Sequence, residues 1–88
     1  MKVSCKVKVK NAQGLHARPA SVIVRILQES LSNVWFTCKK ETVNARSIMS
    51  LLTLAAVKNS TVFIEVDGED AEHILQKLQT AFEDKFGE

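Results

Sequence analysis

Residues 2 to 10 alternate between apolar and polar positions, with Val3, Cys5, Val7 and Val9 on one side and Lys2, Ser4, Lys6, Lys8 and Lys10 on the other. A period of two is that of a strand with one face buried. Asn11-Ala12-Gln13-Gly14 breaks the pattern, and from Ala17 the period changes. Ala20, Ile23, Val24, Leu27 and Leu31 recur at three and four, one face of a helix that Ser32-Asn33 ends. Val34 to Cys38 predicts a second strand with Val34, Phe36 and Cys38 inward. Lys39-Lys40-Glu41 is a turn and Thr42 to Ala45 a short third strand. Ser47 opens a second helix carrying Ile48, Leu51, Leu52 and Ala55. Leu51 and Leu52 are expected inward, with Ile48 and Met49 at least partly exposed. Lys58-Asn59-Ser60 is a turn in which Asn59 suits a left-handed conformation. Thr61 to Asp67 alternates again, with Val62, Ile64 and Val66 inward. Asp67-Gly68-Glu69-Asp70 then supplies a turn and a helix start. The last helix buries Ala71, Ile74, Leu75, Leu78 and Phe82.

The order is βαββαβα, with short connections and no repeat, linker or low-complexity segment, so residues 1–88 read as one domain. Three helices at this scale suit one face of a mainly antiparallel four-stranded sheet, an α+β fold. The other sheet face is then open to water. Trp35 and Phe63 fall on it, out of phase with their inward neighbours. They read as a cross-strand aromatic pair or as a contact surface for a partner.

Composition narrows the class. Eighty-eight residues allow a single modest core. A chain 45% hydrophobic and 25% charged is ordinary for a soluble globular protein. No apolar run approaches the ~20 residues of a membrane span. Met1 to Lys6 lacks the apolar core of a secretory signal. The expectation is a cytoplasmic protein without membrane insertion. A net charge of +2 disfavours a general polyanion binder. The lysine-bearing strand also lacks the interleaved aromatics that single-stranded nucleic acid wants, so nucleic acid is not an expected partner. Lys2, Lys6, Lys8 and Lys10 gather near the start and the acids after Glu65. The basic end reads as a solvated strand face, or as one that meets an acidic partner surface. Cys5 and Cys38 form no CxxC and have no histidine at metal spacing. Both read as small buried hydrophobes, with a disulfide or redox role as the alternative, and neither a metal nor a cofactor is expected.

The candidate chemistry lies where the first strand gives way to the first helix. With the helix starting at Ala17, the His16 side chain stands beside the first free backbone N–H groups, which with the helix dipole favour an anion. Pro19 suits the first turn because its missing N–H would have no helical partner. Gly14 allows a tight approach of the chain. Arg18 adds a fixed positive charge able to hold phosphate oxygens through two N–H groups. This is an anion cradle with a nucleophilic imidazole at its mouth, suited to attack by a ring nitrogen on phosphorus. The plainer reading of a histidine at a helix start is a capping or surface residue. No general base, metal site or substrate pocket is evident elsewhere, which points to a carrier rather than a self-sufficient enzyme. His73, between Glu72 and Ile74 on the last helix, has no such surroundings.

Gly14-Leu15-His16-Ala17-Arg18-Pro19-Ala20 resembles the active-site signature of the HPr family, the histidine-containing phosphocarriers of the phosphoenolpyruvate-dependent sugar phosphotransferase system. The resemblance extends over essentially the whole chain in length and element order. It implies an open-faced sandwich of four antiparallel strands and three helices. It also implies phosphorylation of His16 at Nδ1 with Arg18 assisting, enzyme I as donor and enzyme IIA components as acceptors. Ala45-Arg46-Ser47-Ile48-Met49 resembles the family's regulatory serine site, with Ser47 the target of HPr kinase/phosphorylase and Ile48 and Met49 in an exposed apolar docking patch. Ser47 is independently sensible as a helix N-cap. Three positions depart from the family's common pattern: Ser50 where glycine often follows the Ile-Met pair, Arg46 where lysine is commoner, and Asn59 where a glycine usually turns the chain. The alternative function is a regulatory relative acting mainly through Ser47-phosphate-dependent binding to a transcription factor or enzyme.

Overall fold

The computed structural model describes residues 1–88. Its elements run β1 (Lys2–Lys8), α1 (Ala17–Leu27), β2 (Asn33–Cys38), β3 (Glu41–Asn44), α2 (Ile48–Leu54), β4 (Thr61–Asp67) and α3 (Ala71–Glu83), with a short 3-10 turn at Lys85–Gly87. The strands form one sheet in the order β1-β4-β2-β3, every neighbouring pair antiparallel. β4 fills the gap between β1 and β2, so the strand made last in the sequence completes the sheet's centre. No helix is long and apolar enough to cross a membrane.

The two-residue period does what it predicts. Val34, Phe36, Val62, Ile64 and Val66 are fully or almost fully buried on the helix-covered face. They pack with Ile23 and Leu27 of α1, Leu51 and Leu54 of α2, and Ile74, Leu78 and Phe82 of α3 in one hydrophobic core. Val3, Cys5 and Val7 are only half-buried, because β1 is an edge strand with α3 as its cover. Cys5 therefore departs from the expected burial, whereas Cys38 is buried; both thiols are free. What burial Cys5 has pushes its thiol pKa up, partly offset by a hydrogen bond with Gln79.

Other expectations needed correcting. Leu31 is 98% exposed, not on the buried face of α1. The helix stops at Leu27, and the Ser30 hydroxyl accepts from the Ser32 N–H, leading the chain out of helical phase before Leu31. In α2, Leu51 and Leu54 are buried while Leu52 is half-buried. The helix is only seven residues long and Ala55 closes it in a left-handed conformation (φ 52°), so Ala55 belongs to no helix face. Leu75 is half-buried, on the flank of the α3 stripe. The open face does carry Trp35, 40% exposed, and the half-buried Phe63. They are not opposite each other, however. Trp35 faces Glu65 and Asn44, and Phe63 faces Lys6 and Thr37. The ring contacts lie inside, Phe36–Phe82 at 5.9 Å and Phe82–Phe86 at 4.8 Å between centroids.

Asn59 is left-handed (φ 74°), as its residue type suggests, and its N–H donates to Val9 O at 2.7 Å. Asp70 precedes α3, but its carboxylate turns away from the helix. Oδ1 accepts from Ser30 Oγ at 2.9 Å and from Ser32 Oγ, and these hydrogen bonds hold its pKa below the ordinary carboxylate value. Arg46 grips the same loop from the other side, donating to the carbonyls of Ser32 at 3.0 Å and Ser30 at 2.7 Å. The α1–β2 connection is thus pinned by a carboxylate and a guanidinium from distant parts of the chain.

Candidate functional site

His16 sits immediately before α1 in extended conformation (φ −87°, ψ −166°), its carbonyl accepting from the Ala20 N–H at 3.1 Å. It makes no side-chain cap, and the first turn of α1 contains no acidic residue. The N–H groups of Ala17 and Arg18 therefore have no helical acceptor, and Pro19 contributes none. Nothing negative competes for those donors from the helix itself. Arg18 is exposed on the same first turn.

The loop that presents His16 is held from below. Gly14 has φ +68°, and a Cβ there would lie 2.3 Å from Ala56 O and 3.0 Å from Val57 Cα. Only glycine permits that approach together with that conformation. The next residue uses it: the Leu15 N–H donates to Ala56 O at 2.9 Å. Because Ala55 has turned the chain left-handed at the end of α2, the end of that helix supports the histidine loop. Ser47 caps the opposite end of α2, its Oγ accepting from the Ser50 N–H at 3.2 Å. Seven helical residues at 1.5 Å each put about 10 Å of helix between the serine cap and the end that supports the histidine loop. Ile48 (38% exposed) and Met49 (71% exposed) follow Ser47 on the surface. The structure thus joins His16 and Arg18 in one turn, and Ser47, Ile48 and Met49 in another, with α2 running from the second group to the first.

Two residues that pattern reading passed over complete the surroundings of His16. The Glu88 carboxylate meets Nε2 of His16, with Oε1 at 3.1 Å and Oε2 at 2.9 Å. The amide of Asn11, buried to 2% exposure, donates to Gly14 O at 2.6 Å and to Glu88 Oε1 at 3.1 Å. The hydrogen bond from His16 is the main cause holding the Glu88 carboxyl below its ordinary pKa. Asn11 and the charge of Arg18 act in the same direction. Glu88 reaches this place because Phe86 is buried against Phe82, in a turn where Lys85, Phe86 and Gly87 all have positive φ. Polarity alone gave no sign of it. The apolar Phe86 within a charged tail was the one available signal.

Residues 3–84 match the family model described as the PTS HPr component phosphorylation site. The chain belongs to the HPr family. A phosphocarrier protein HPr of Chlamydia pneumoniae is 46% identical over 80 residues, which cover 91% of this chain and 74% of the relative. That of Xylella fastidiosa strain Temecula1 is 36% identical, covering 94% of this chain and 93% of the relative. Among solved structures, HPr from Thermoanaerobacter tengcongensis superposes with a TM-score of 0.93 at 34% identity, covering 98% of this chain and 97% of the other. Crh of Bacillus subtilis, a catabolite repression protein, gives 0.76 at 35% identity over 94% of this chain and 95% of the other. The open-faced α+β sandwich expected from the sequence is thus the HPr fold, and the chain is a phosphocarrier of the phosphotransferase system, a carrier rather than a catalyst.

Proposed function

We propose that His16 is the residue that carries the phosphoryl group, received on Nδ1 from phosphorylated enzyme I and passed to enzyme IIA components in the cytoplasm. The supporting observation is the first turn of α1: an imidazole beside two backbone N–H groups with no acidic or capping competitor, and Arg18 exposed next to it. The Nδ1 lone pair attacks phosphorus as the donor's bond to phosphorus breaks. The N–H groups and the guanidinium then meet the phosphoryl oxygens. The reaction needs no metal or cofactor from this chain, because the imidazole is the nucleophile and each partner supplies its own leaving or accepting group.

Ser47 is the regulatory position in this reading, phosphorylated by HPr kinase/phosphorylase. A phosphate there adds about −1.5 to −2 charges beside the exposed Ile48 and Met49, which we take as partner-docking residues. Desolvating that charge against a partner is unfavourable, and an acidic partner surface adds repulsion. The second reading, a regulatory protein that acts mainly through Ser47-phosphate binding to a transcription factor or enzyme, draws support from the likeness to Crh. The presence of a phosphorylatable His16 favours the carrier.

The test is incubation with phosphoenolpyruvate and enzyme I. One acid-labile, base-stable phosphate is expected on wild type and none on His16→Ala. Label persisting on that variant overturns the assignment. Arg18→Lys keeps the charge but loses the two-pronged geometry, and should raise the transfer barrier by about 1–3 kcal/mol. Ser47→Asp keeps a good cap and should slow acceptance at His16, whereas Ser47→Ala should transfer normally. An Asp variant as fast as wild type, with no kinase labelling Ser47, leaves the serine as a cap only.

A further inference from the structure

A histidine that attacks through Nδ1 must hold its single neutral proton on Nε2, and in an isolated imidazole either nitrogen can carry it. Whichever group bonds one ring nitrogen decides the state of the other. Here the partner is a carboxylate, which accepts and cannot donate. Both Glu88 oxygens lie within 3.1 Å of His16 Nε2. The pair is partly shielded, with side-chain exposures of 32% for His16 and 23% for Glu88. Nδ1 makes no hydrogen bond within the chain.

From this geometry we infer that Glu88 is a positioning residue for phosphoryl transfer: it holds the proton of neutral His16 on Nε2, so that the Nδ1 lone pair faces the donor. This rests on the carrier reading above. The contact is built from several independent parts of the fold. Asn11, buried near the start of the loop between β1 and α1, donates one N–H to Glu88 and another to Gly14 O, which ties the carboxylate to the histidine loop. Phe86, buried against Phe82, sets the direction of the turn that delivers Glu88. Lys10, Lys58 and Lys85 line a cleft of about 370 Å³ together with Glu88, Asn11 and Gln13. Lys10 is itself paired with Glu83 at 2.9 Å. The charge of Arg18 favours an ionised carboxylate, the form that only accepts.

The same contact has a consequence during transfer. As the Nδ1–P bond forms and the donor's bond to phosphorus breaks, the ring gains a positive charge, because the Nε2 proton stays in place. The carboxylate offsets that charge. When the phosphoryl group leaves for an acceptor, the N–P electron pair returns to Nδ1 and the ring is neutral again. No proton enters or leaves the site in either direction.

The test is Glu88→Gln in the full chain, with His16 followed by ring-nitrogen NMR and phosphoryl acceptance followed by rapid quench. The amide matches the carboxylate in size but can donate as well as accept. In unphosphorylated wild type, neutral His16 should show a protonated Nε2 and an unprotonated Nδ1. In Glu88→Gln the two nitrogens should move towards averaged values, with acceptance from enzyme I slowed about tenfold, the scale for removing the group that orients a functional histidine. Glu88→Asp, with its carboxylate restored on a shorter arm, should recover part of both. The thermal midpoint, measured alongside, separates a general loss of folding from a change confined to the ring. A wild-type chain that is phosphorylated on His16, beside a Glu88→Gln chain with unchanged tautomer and rate, overturns the role of Glu88 alone. A wild-type chain that accepts no phosphate overturns the carrier reading and the positioning role with it.

Discussion

Replacing Gly14 by alanine tests whether the histidine loop depends on its contact with the end of α2. Two penalties act at this position. The backbone has φ +68°, where a residue with a Cβ is strained by about 1–2 kcal/mol. The new methyl would also sit 2.3 Å from Ala56 O and 3.0 Å from Val57 Cα, both main-chain atoms that cannot rotate aside. Forcing them apart is overpacking, at about 1–3 kcal/mol. Together Gly14→Ala should cost about 2–5 kcal/mol, against a total of about 4–13 kcal/mol for a chain of this length. Gly87 provides the control: its φ is +79°, but a Cβ there meets nothing within 4 Å. Gly87→Ala should show the conformational penalty alone. Urea unfolding followed through Trp35, the single tryptophan, gives both values. Displacement of Ala56 should also weaken the Leu15 N–H bond to it, so Gly14→Ala should accept phosphate more slowly even where it is fully folded. If the two alanine variants lose the same stability, the close contact between the histidine loop and the end of α2 is not there.

Further measurements address the rest of the fold. Leu27→Ala should cost about 2–5 kcal/mol by opening a cavity in the core, whereas Leu31→Ser should stay within about 0.5 kcal/mol, since that side chain touches little but water; equal losses would restore the longer helix expected from the sequence. Arg46→Lys should lose about 1 kcal/mol in the same urea assay, because a lysine cannot reach the carbonyls of Ser30 and Ser32 with the fixed fork of the guanidinium. Asp70 has a native pKa below its unfolded value of about 3.9. Its contribution is therefore complete above that pH and is lost as pH falls through the native value, so the melting-temperature gap between wild type and Asp70→Asn should close on acidification. A gap that is constant or widens would remove the Ser30 and Ser32 hydroxyls as the cause.

The element order and the inward set of each strand followed from the sequence because hydrophobic period is a local property. A residue two positions along a strand, or three to four along a helix, shares a face whatever the rest of the chain does. His16 and Arg18 were legible for the same reason, lying in the first turn of a helix whose start is marked by Gly14 and Pro19. Ser47 as a cap was equally a matter of neighbouring residues. What failed was where periods stop. Leu31 continues the spacing of α1 in the sequence, but the chain has already left the helix, held by Asp70 and Arg46 from 40 and 16 residues beyond Ser30. The end of α2 was equally hidden: Ala55 closes the helix left-handed and Ala56 O accepts from the Leu15 N–H, a contact between loops about 40 residues apart.

Glu88 marks the limit most clearly. In the sequence it is one acid in a charged tail; beside His16 it is 72 residues away. The burial of Phe86 against Phe82, together with three left-handed residues in succession, brings it there. His16, the proposed nucleophile, and the first turn of α1 beside it were placed by adjacent residues, through helix geometry alone. The group that meets the other ring nitrogen was decided only when the tail folded back onto the core, because long-range packing, and no sequence period, sets that distance.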